Sequence, residues 1–421
     1  MPEAERLLLI LIEAVVLRGS GQAARSAARA RSGLLAYAEM PLAERGRIGP
    51  LESVAVAHLG ISLWRAEAHA EAETAFTQAA SLAAAQDQPD YEGYYHSLTA
   101  CLLAEKGDLP GAAGFLRRCR KLGWGDGSLH HYAETPLRLA EAMAALEAGD
   151  PASAKSALAG ILDQADAMEL WPRTRYLDAV SDLAAGNPVP ALARLEEVLS
   201  RLPELPPVSG PERARLGRAQ SLLLLAAGLP GRALAVAGSL PKPQRELVTA
   251  RVHLAGGQAG KALSAVARVG SGGSYRQQSE VTGLSVAARL QLEPGSTPAV
   301  KLELARLSNL YLNHGLALST ALLPAADLDR VRGAAAEAGL DVGLGALTQG
   351  VIGSTAGMPE LTPRELAILE SLVHTGSLAE IAAVHYVSVN TVKSQLRGLY
   401  RKLGVSGRDE ALSEAMRRGV L

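Results

Sequence analysis

Aromatic residues are scarce in this sequence: Phe, Trp and Tyr make up 4% of its 421 residues, although 48% are hydrophobic. The hydrophobic fraction is therefore mostly alanine, leucine and valine, which is typical of helices that pack closely through small residues. Only two cysteines are present, Cys101 and Cys119, and their spacing fits neither a CxxC pair nor a zinc framework. We expect two reduced thiols in a cytoplasmic protein.

Long hydrophobic runs are also missing. The apolar segment 7–17 follows Glu3 and Glu5 and is interrupted by Glu13, unlike the unbroken core of a signal peptide. The longest run elsewhere, 222–227, is far shorter than the ~20 residues that span a bilayer. We therefore predict a soluble, cytoplasmic protein with no membrane partner.

Motifs of catalysis and nucleotide binding are absent from the sequence. It contains no GxSxG, no HExxH and no GxxxxGK[ST]. The nearest string to a P-loop, 256–262, lacks the correct spacing and the hydroxyl that holds magnesium. The adjacent pair His130 and His131 has the wrong spacing for a metal site. We predict that the protein is not an enzyme and carries no cofactor or metal.

Residues 1–346 show apolar positions at helical spacing throughout, which predicts an all-α fold. One break recurs, a glycine followed five residues later by the alanine that opens the next helix. It occurs at Gly19/Ala24, Gly107/Ala112, Gly149/Ala154, Gly186/Ala191, Gly228/Ala233 and Gly257/Ala262. A glycine ends a helix well, and a small residue lets two helices approach. The pattern resembles tetratricopeptide repeats, so we predict a helical-hairpin, tetratricopeptide-like solenoid.

The function of this long region is open at the level of sequence. It could bind a protein, peptide or small-molecule signal, or it could mediate oligomerisation. Aromatic and polar side chains that could line a groove, or could simply pack between repeats, are Tyr91, Tyr94, Tyr95, His96, Trp124 and Tyr132.

A glycine-rich stretch, predicted as a linker over 347–360, separates this region from a different C-terminal segment, 361–421. Helix-start signals at Thr362, Ser377, Ser388 and Ser406 predict four short helices near 363–374, 378–384, 389–402 and 408–418. Apolar side chains that can share one small core are Leu366, Leu369, Val373, Ile381, Val392, Leu396, Leu399, Leu403 and Leu412.

The third of these helices is basic, although the net charge of the whole chain is only −1. No acidic residue occurs from Ile381 to Arg408. The basic residues of the same segment are Lys393, Arg397, Arg401, Lys402 and Arg408. A short connection between the second and third helices, with charge on the third, favours a DNA-binding helix-turn-helix.

The C-terminal segment resembles the LuxR-type helix-turn-helix. The resemblance is carried by Leu-Thr-Pro-Arg-Glu at 361–365, Glu-Ile-Ala at 380–382, Val-Ser-Val-Asn-Thr-Val-Lys at 387–393 and Tyr-Arg-Lys-Leu-Gly-Val at 400–405. Large members of this family carry a P-loop ATPase before tetratricopeptide repeats, and the chain resembles them without that ATPase.

This resemblance implies that the third helix lies in the major groove of double-stranded DNA. Lys393 and Arg397 would face base edges, and Arg401 and Lys402 would meet the backbone. Further contact candidates on this helix are Thr391, Ser394 and Gln395. The fourth helix commonly forms the dimer contact in this family, so a homodimer on DNA would use Ala411, Leu412 and Ala415.

Three positions depart from the family pattern. Leu378-Ala379 stands where Asn-Lys is usual, His385 where Leu is common, and Gln395 where a histidine is common. The first change removes one expected phosphate contact. The functional prediction is a sequence-specific, DNA-binding transcription regulator. The alternative is a helical-repeat scaffold or adaptor whose helix-turn-helix contacts protein.

Overall fold

Helices account for nearly all of the regular structure. The computed structural model describes residues 2–124, 131–163, 168–270, 272–295, 297–344, 350–355 and 361–417, which form 23 helices and no strand. The predicted all-α class is confirmed. The helices are α1 (Glu3–Gly19), α2 (Ala23–Glu39), α3 (Leu42–Ile48), α4 (Leu51–Arg65), α5 (His69–Ala85), α6 (Pro89–Lys106), α7 (Leu109–Lys121), α8 (His131–Glu147), α9 (Pro151–Leu162), α10 (Trp171–Ala184), α11 (Pro188–Ser200), α12 (Gly210–Ala226), α13 (Pro230–Gly238), α14 (Gln244–Ala255), α15 (Ala259–Val269), α16 (Tyr275–Leu292), α17 (Pro298–His314), α18 (Leu318–Ala321), α19 (Ala325–Glu337), α20 (Pro363–His374), α21 (Leu378–Val384), α22 (Val389–Leu403) and α23 (Arg408–Arg417).

Helices α1–α19 form a repeat array of helical hairpins. The paired helices are α1 with α2, α4 with α5, α6 with α7, α8 with α9, α10 with α11, α12 with α13, α14 with α15 and α16 with α17. The second helix of each of the first seven pairs also packs on the first helix of the next pair. First helices additionally contact one another along the array, as α6 contacts α8 and α10 contacts α12. Hairpins stacked in chain order agree with the predicted solenoid, and its tetratricopeptide character stays a prediction.

The recurring glycines form the turns inside the hairpins. A left-handed backbone, with φ from 69° to 89°, is found at Gly107, Gly149, Gly186, Gly228 and Gly257. The paired alanines are buried where the two helices meet: Ala112, Ala154, Ala191, Ala233 and Ala262.

At two turns the structure differs from the glycine pattern. Gly19 ends α1, and the left-handed residue of that turn is Gly21. The turn between α4 and α5 uses Glu67, with φ 64°, so a search for glycines could not find it.

A buried carboxylate joins hairpins that are far apart in sequence. Glu212 is fully buried in the first turn of α12, where it forms a reciprocal capping box with Ser209. Arg65 of α4 donates to both of its carboxylate oxygens, at 2.9 and 2.6 Å, and Arg173 of α10 donates to one at 3.0 Å. Arg173 also donates to Glu105 of α6 at 2.8 Å. Buried charges need such partners, so four hairpins are held in one arrangement.

A second carboxylate makes a similar long-range connection. Glu147, at the end of α8, accepts the backbone N–H groups of Ala317 and Leu318 at 2.8 and 2.7 Å and pairs with Arg276 of α16. The acceptor lies at the start of α18, where unpaired N–H groups favour an anion. Residues separated by more than a hundred positions therefore meet inside the array.

Part of the predicted linker is attached to the array. The buried Ile352 forms a β-bridge with Pro324, and its carbonyl accepts the N–H of Ala325 at 2.9 Å. Thr355 donates its N–H to the carbonyl of Ala255 at 2.9 Å. Residues 350–355 thus belong structurally to the array, and the remainder of the predicted 347–360 linker lies outside the described residues.

Both cysteines are buried free thiols in this structure. Burial raises the pKa of Cys119 to about 12, so its thiolate is scarcely populated at neutral pH. In the part of the chain that the structure describes, no helix has the length and hydrophobicity required to cross a membrane.

We predict that Glu212→Gln destabilises the array by about 3 kcal/mol, because it removes a fully buried charge between two arginines. Glu204→Gln is the control, since Glu204 pairs with Arg201 at the surface, where such pairs contribute at most about 1 kcal/mol. Urea denaturation of the full chain, followed by far-UV circular dichroism, measures both. Equal losses of stability in the two variants would contradict the role of Glu212.

Candidate nucleic-acid interface

The four C-terminal helices begin where the sequence predicts, and side-chain caps set the starts of α20, α21 and α22. Thr362 and Glu365 form a reciprocal capping box at the start of α20. Ser377 accepts the N–H of Glu380 at 3.3 Å, and Ser388 accepts the N–H of Thr391 at 3.1 Å. These hydrogen bonds satisfy backbone donors that have no partner within the helix.

One apolar face of α22 packs into the core of the domain. Its buried side chains are Val392, Leu396, Leu399 and Leu403. They are joined by Ile368, Leu369 and Leu372 of α20 and by Ile381 of α21. The predicted core was wrong at Val373, which is 45% exposed, because the inward face of α20 passes through Ile368 and Leu372 instead.

The turn between α21 and α22 is tight. Val387 donates its N–H to the carbonyl of Ala382 at 3.0 Å, and Tyr386 adopts a left-handed backbone with φ 53°. Both helices therefore stay in contact, with α22 following α21 after four residues. This is the helix-turn-helix arrangement that the sequence indicates.

The opposite face of α22 is an exposed stripe. Its side chains, spaced by three or four residues, are Asn390, Lys393, Ser394, Arg397 and Arg401. Among the described residues, neither Lys393, Arg397 nor Arg401 has a hydrogen-bond or ion-pair partner. Three cations without partners on one helical face can bind an external anion. Asn390 also belongs to this stripe and was not among the predicted contact residues, although it precedes Lys393 by three residues.

Thr391 and Gln395 lie at the edge of the stripe. Both are half-buried, and the hydroxyl of Thr391 is 2.8 Å from that of Ser388 in the helix cap. A contact of either side chain with DNA stays a prediction.

Lys402 differs from the other cations of α22 because it has a partner within the domain. Its Nζ donates to Oε2 of Glu365 at 2.7 Å, and the carboxyl group of Glu365 is almost completely buried. Burial tends to raise the pKa of Glu365, but hydrogen bonds from Lys402 and Thr362 outweigh it and lower the pKa. The ammonium of Lys402 therefore ties α22 to the start of α20. Its predicted phosphate contact remains a prediction.

Arg408 also has an internal role. It donates to the carbonyl of Leu372 at 2.7 Å through Nη2 and at 3.2 Å through Nε. That carbonyl belongs to the last turn of α20, where a cation is favourable. Near it, His385 of the α21–α22 turn lies 2.7 Å from the hydroxyl of Ser371, so its imidazole holds the turn against α20.

The predicted dimer residues lie mostly inside the domain. Ala411 and Ala415 are fully buried in its core, and Leu412 is half-buried against it. Among the residues of α23 whose side chains the structure describes, the exposed ones are Asp409, Glu410 and Ser413. A dimer contact through α23 stays a prediction.

The aromatic cluster of the array mostly packs inside it. Tyr95 and Trp124 are buried, and Tyr94 stacks on Trp124 with ring centroids 6.3 Å apart. Tyr91 is half-exposed. Of the predicted groove residues, His96 lines a surface groove and Tyr94 lines a small cavity beside Trp64. The side chain of Tyr132 lies outside the described part of the chain.

Comparison with known proteins places this domain in a family. Residues 359–415 match the family described as "Bacterial regulatory proteins, luxR family". The spore germination protein GerE of Bacillus subtilis is 40% identical over 63 residues, which cover 15% of this chain and 85% of GerE. The fold and the exposed basic third helix define a helix-turn-helix protein. The similarity to GerE shows that the chain belongs to the luxR family of bacterial regulatory proteins.

Two longer relatives match the same region. The probable transcriptional regulatory protein NarL of Mycobacterium tuberculosis is 44% identical over 63 residues, and the transcriptional regulatory protein YdfI of Bacillus subtilis is 39% identical over 62. Each match covers 15% of this chain and 29% of the relative. The chain thus spans less than a third of the length of these two proteins.

We predict that Lys402→Met destabilises the helix-turn-helix domain at neutral pH by about 1–2 kcal/mol, because Glu365 loses a charged hydrogen-bond donor. Since the folded domain lowers the pKa of Glu365, the pair contributes stability above the unfolded pKa of about 4.3. That contribution is lost as the pH falls through the lower folded pKa.

Hydrogen exchange of the full chain, followed by mass spectrometry of peptides from α20 and α22, measures this effect. Lys393→Met is the matched control, since Lys393 is exposed on the same helix. We expect faster exchange in Lys402→Met alone. Equal exchange in both variants, or a difference that persists unchanged at acid pH, would contradict the proposed ion pair.

Proposed function

We propose that this protein is a sequence-specific DNA-binding transcription regulator whose helix α22 lies in the major groove. One observation carries the proposal: three cations on the exposed face of α22 have no partner in the described structure. Lys402 and Arg408, in contrast, form hydrogen bonds to other groups of the domain. The domain is therefore basic on one particular face. The names of NarL and YdfI, both transcriptional regulatory proteins, support the same conclusion.

The residues of the exposed stripe would make two kinds of contact with DNA. Asn390, Lys393, Ser394 and Arg397 occupy the first two and a half turns of α22, the part of a recognition helix that meets base edges. Lysine and arginine can donate to guanine O6 and N7, and asparagine can pair with adenine. Arg401 lies one turn beyond Arg397, where the helix would leave the groove and meet a phosphate.

Two copies of the chain would act together on one site. A single domain of this size contacts one half-site, so sequence specificity is gained when two domains are held near each other. The repeat array is available for oligomerisation or for binding an effector, and either role would couple a signal to DNA occupancy.

We predict that Arg397→Ala weakens binding to a duplex selected by the full chain by about 1–3 kcal/mol and relaxes the preference at one base pair. Arg401→Ala should instead weaken selected and scrambled duplexes similarly, and should lower the salt slope by about one. The reason is that a phosphate contact releases a counterion on any sequence, whereas a base contact depends on that base.

Titrations of both duplexes at several salt concentrations measure these effects. Arg117→Ala, an exposed arginine of α7 in the array, is the control and should change neither affinity nor slope. If neither α22 variant alters DNA binding, α22 is not the recognition helix. A wild-type chain that binds no duplex would favour a scaffold whose helix-turn-helix contacts protein.

We further predict two chains per selected duplex at saturation. Sedimentation velocity of the full chain with labelled duplex measures the mass of the complex. A complex that contains one chain at full affinity would contradict cooperation between two domains.

A further inference from the structure

The repeat array contains a groove between α5 and α7, with α6 as its floor. Its volume is about 360 Å³, within the range of small-molecule sites. The α5 side of the groove consists of small residues, and the α7 side carries an aromatic ring and cations. The groove is lined by Thr77, Ala80, Ser81, Ala84, Glu92, His96, Phe115, Arg118, Lys121 and Leu122.

His96, which belongs to the floor, has a buried ring nitrogen without a partner. The side chain of His96 is 9% exposed, and its Nε2 lies 3.3 Å from Oε1 of Glu92. Its Nδ1 is buried and has no hydrogen-bond partner in the described structure. Such atoms are uncommon, because buried polar groups are usually hydrogen-bonded.

The neighbours of His96 determine which of its ring nitrogens carries the proton. Burial lowers the pKa of His96, so its ring is neutral at neutral pH. A carboxylate such as that of Glu92 can only accept, so Nε2 carries the proton and Nδ1 holds a lone pair. The unpaired acceptor Nδ1 therefore requires a hydrogen-bond donor, such as a hydroxyl group.

The wall formed by α7 favours an aromatic anion. Phe115 lies beside His96, with ring centroids 5.5 Å apart, and the guanidinium of Arg118 lies 4.8 Å from the centre of the Phe115 ring. Arg118 and Lys121 are both exposed, and neither has an ion-pair partner among the described residues. Glu92, the one acidic side chain among the lining residues, already interacts with His96.

We propose that this groove binds a hydroxylated aromatic carboxylate. The carboxylate accepts hydrogen bonds from Arg118 and Lys121, and the ring packs against Phe115. After a small side-chain movement that uncovers Nδ1 of His96, the hydroxyl donates to that nitrogen. This site goes beyond the proposed DNA binding and does not rest on it, because ligand binding can be measured on the full chain without DNA.

Titration calorimetry of the full chain with 4-hydroxybenzoate tests the proposal directly. Two probes that each lack one feature are benzoate, without the hydroxyl, and 4-hydroxybenzamide, without the charge. We expect benzoate to bind several-fold more weakly and 4-hydroxybenzamide at least about tenfold more weakly. Absence of saturable 4-hydroxybenzoate binding up to about 10 mM, or equal binding of the amide, would overturn the proposal.

Two adjacent arginines of α7 provide a matched pair of variants. Arg118→Gln removes a lining cation and should weaken 4-hydroxybenzoate at least about tenfold. Arg117→Gln removes a neighbouring exposed cation that does not line the groove, and should leave the affinity unchanged. Equal affinities of these two variants would show general charge attraction and contradict the site.

His96→Phe tests the floor of the groove. It keeps an aromatic ring and removes the acceptor, so 4-hydroxybenzoate and benzoate should bind this variant with equal affinity. A hydroxyl preference that survives would contradict the role of His96. Should this variant lose its fold, seen by far-UV circular dichroism, the comparison of Arg118 with Arg117 at the surface still decides the proposal.

Discussion

The burial of Glu212 between Arg65 and Arg173 is the interaction on which the arrangement of the array depends most. Hairpins that touch only their neighbours can stack at a range of angles, since apolar packing has little directional preference. A buried carboxylate is different, because without both arginines it would be strongly destabilising. It therefore favours the one winding of the array that brings α4, α10 and α12 together. In this winding the Gly21 turn lies close to residues 207 and 208, where a Cβ at position 21 would approach the carbonyl of Val208 to 3.3 Å.

In the C-terminal domain, some basic side chains are bound by other groups of the domain and others are exposed. Lys402 and Arg408 are bound to Glu365 and to the end of α20, so they hold α22 and α23 in place. Lys393, Arg397 and Arg401 point away from the core and keep their donors available. The domain can thus be nearly neutral overall and still present a positive surface on one helix. Rigid support of α22 matters for this surface, because base recognition requires side chains held in a fixed position.

Local signals in the sequence were sufficient to predict much of this fold. Serine and threonine caps set the starts of α20, α21 and α22, and glycines with left-handed backbone set most of the hairpin turns. Both depend on residues close in the chain. The exposed stripe of α22 was predicted from the basic residues of the helix and from the family resemblance, apart from Asn390. What could not be predicted depends on distant contacts: the pairing of Arg65 with Glu212, the ion pair of Lys402, the burial of Ala411 and Ala415, and the attachment of Ile352 to the array. The groove at His96 likewise requires three helices to be placed before it exists.

The central claim is that α22 enters the major groove of DNA, and methylation interference tests it most directly. Methylation at guanine N7 blocks the major-groove edge, whereas methylation at adenine N3 blocks the minor-groove edge. On a duplex selected by the full chain, we expect the bound fraction to be depleted in methylated guanines within each half-site. One of those positions should lose its effect in Arg397→Ala. Interference confined to adenine N3, or no interference at all, would contradict recognition by α22.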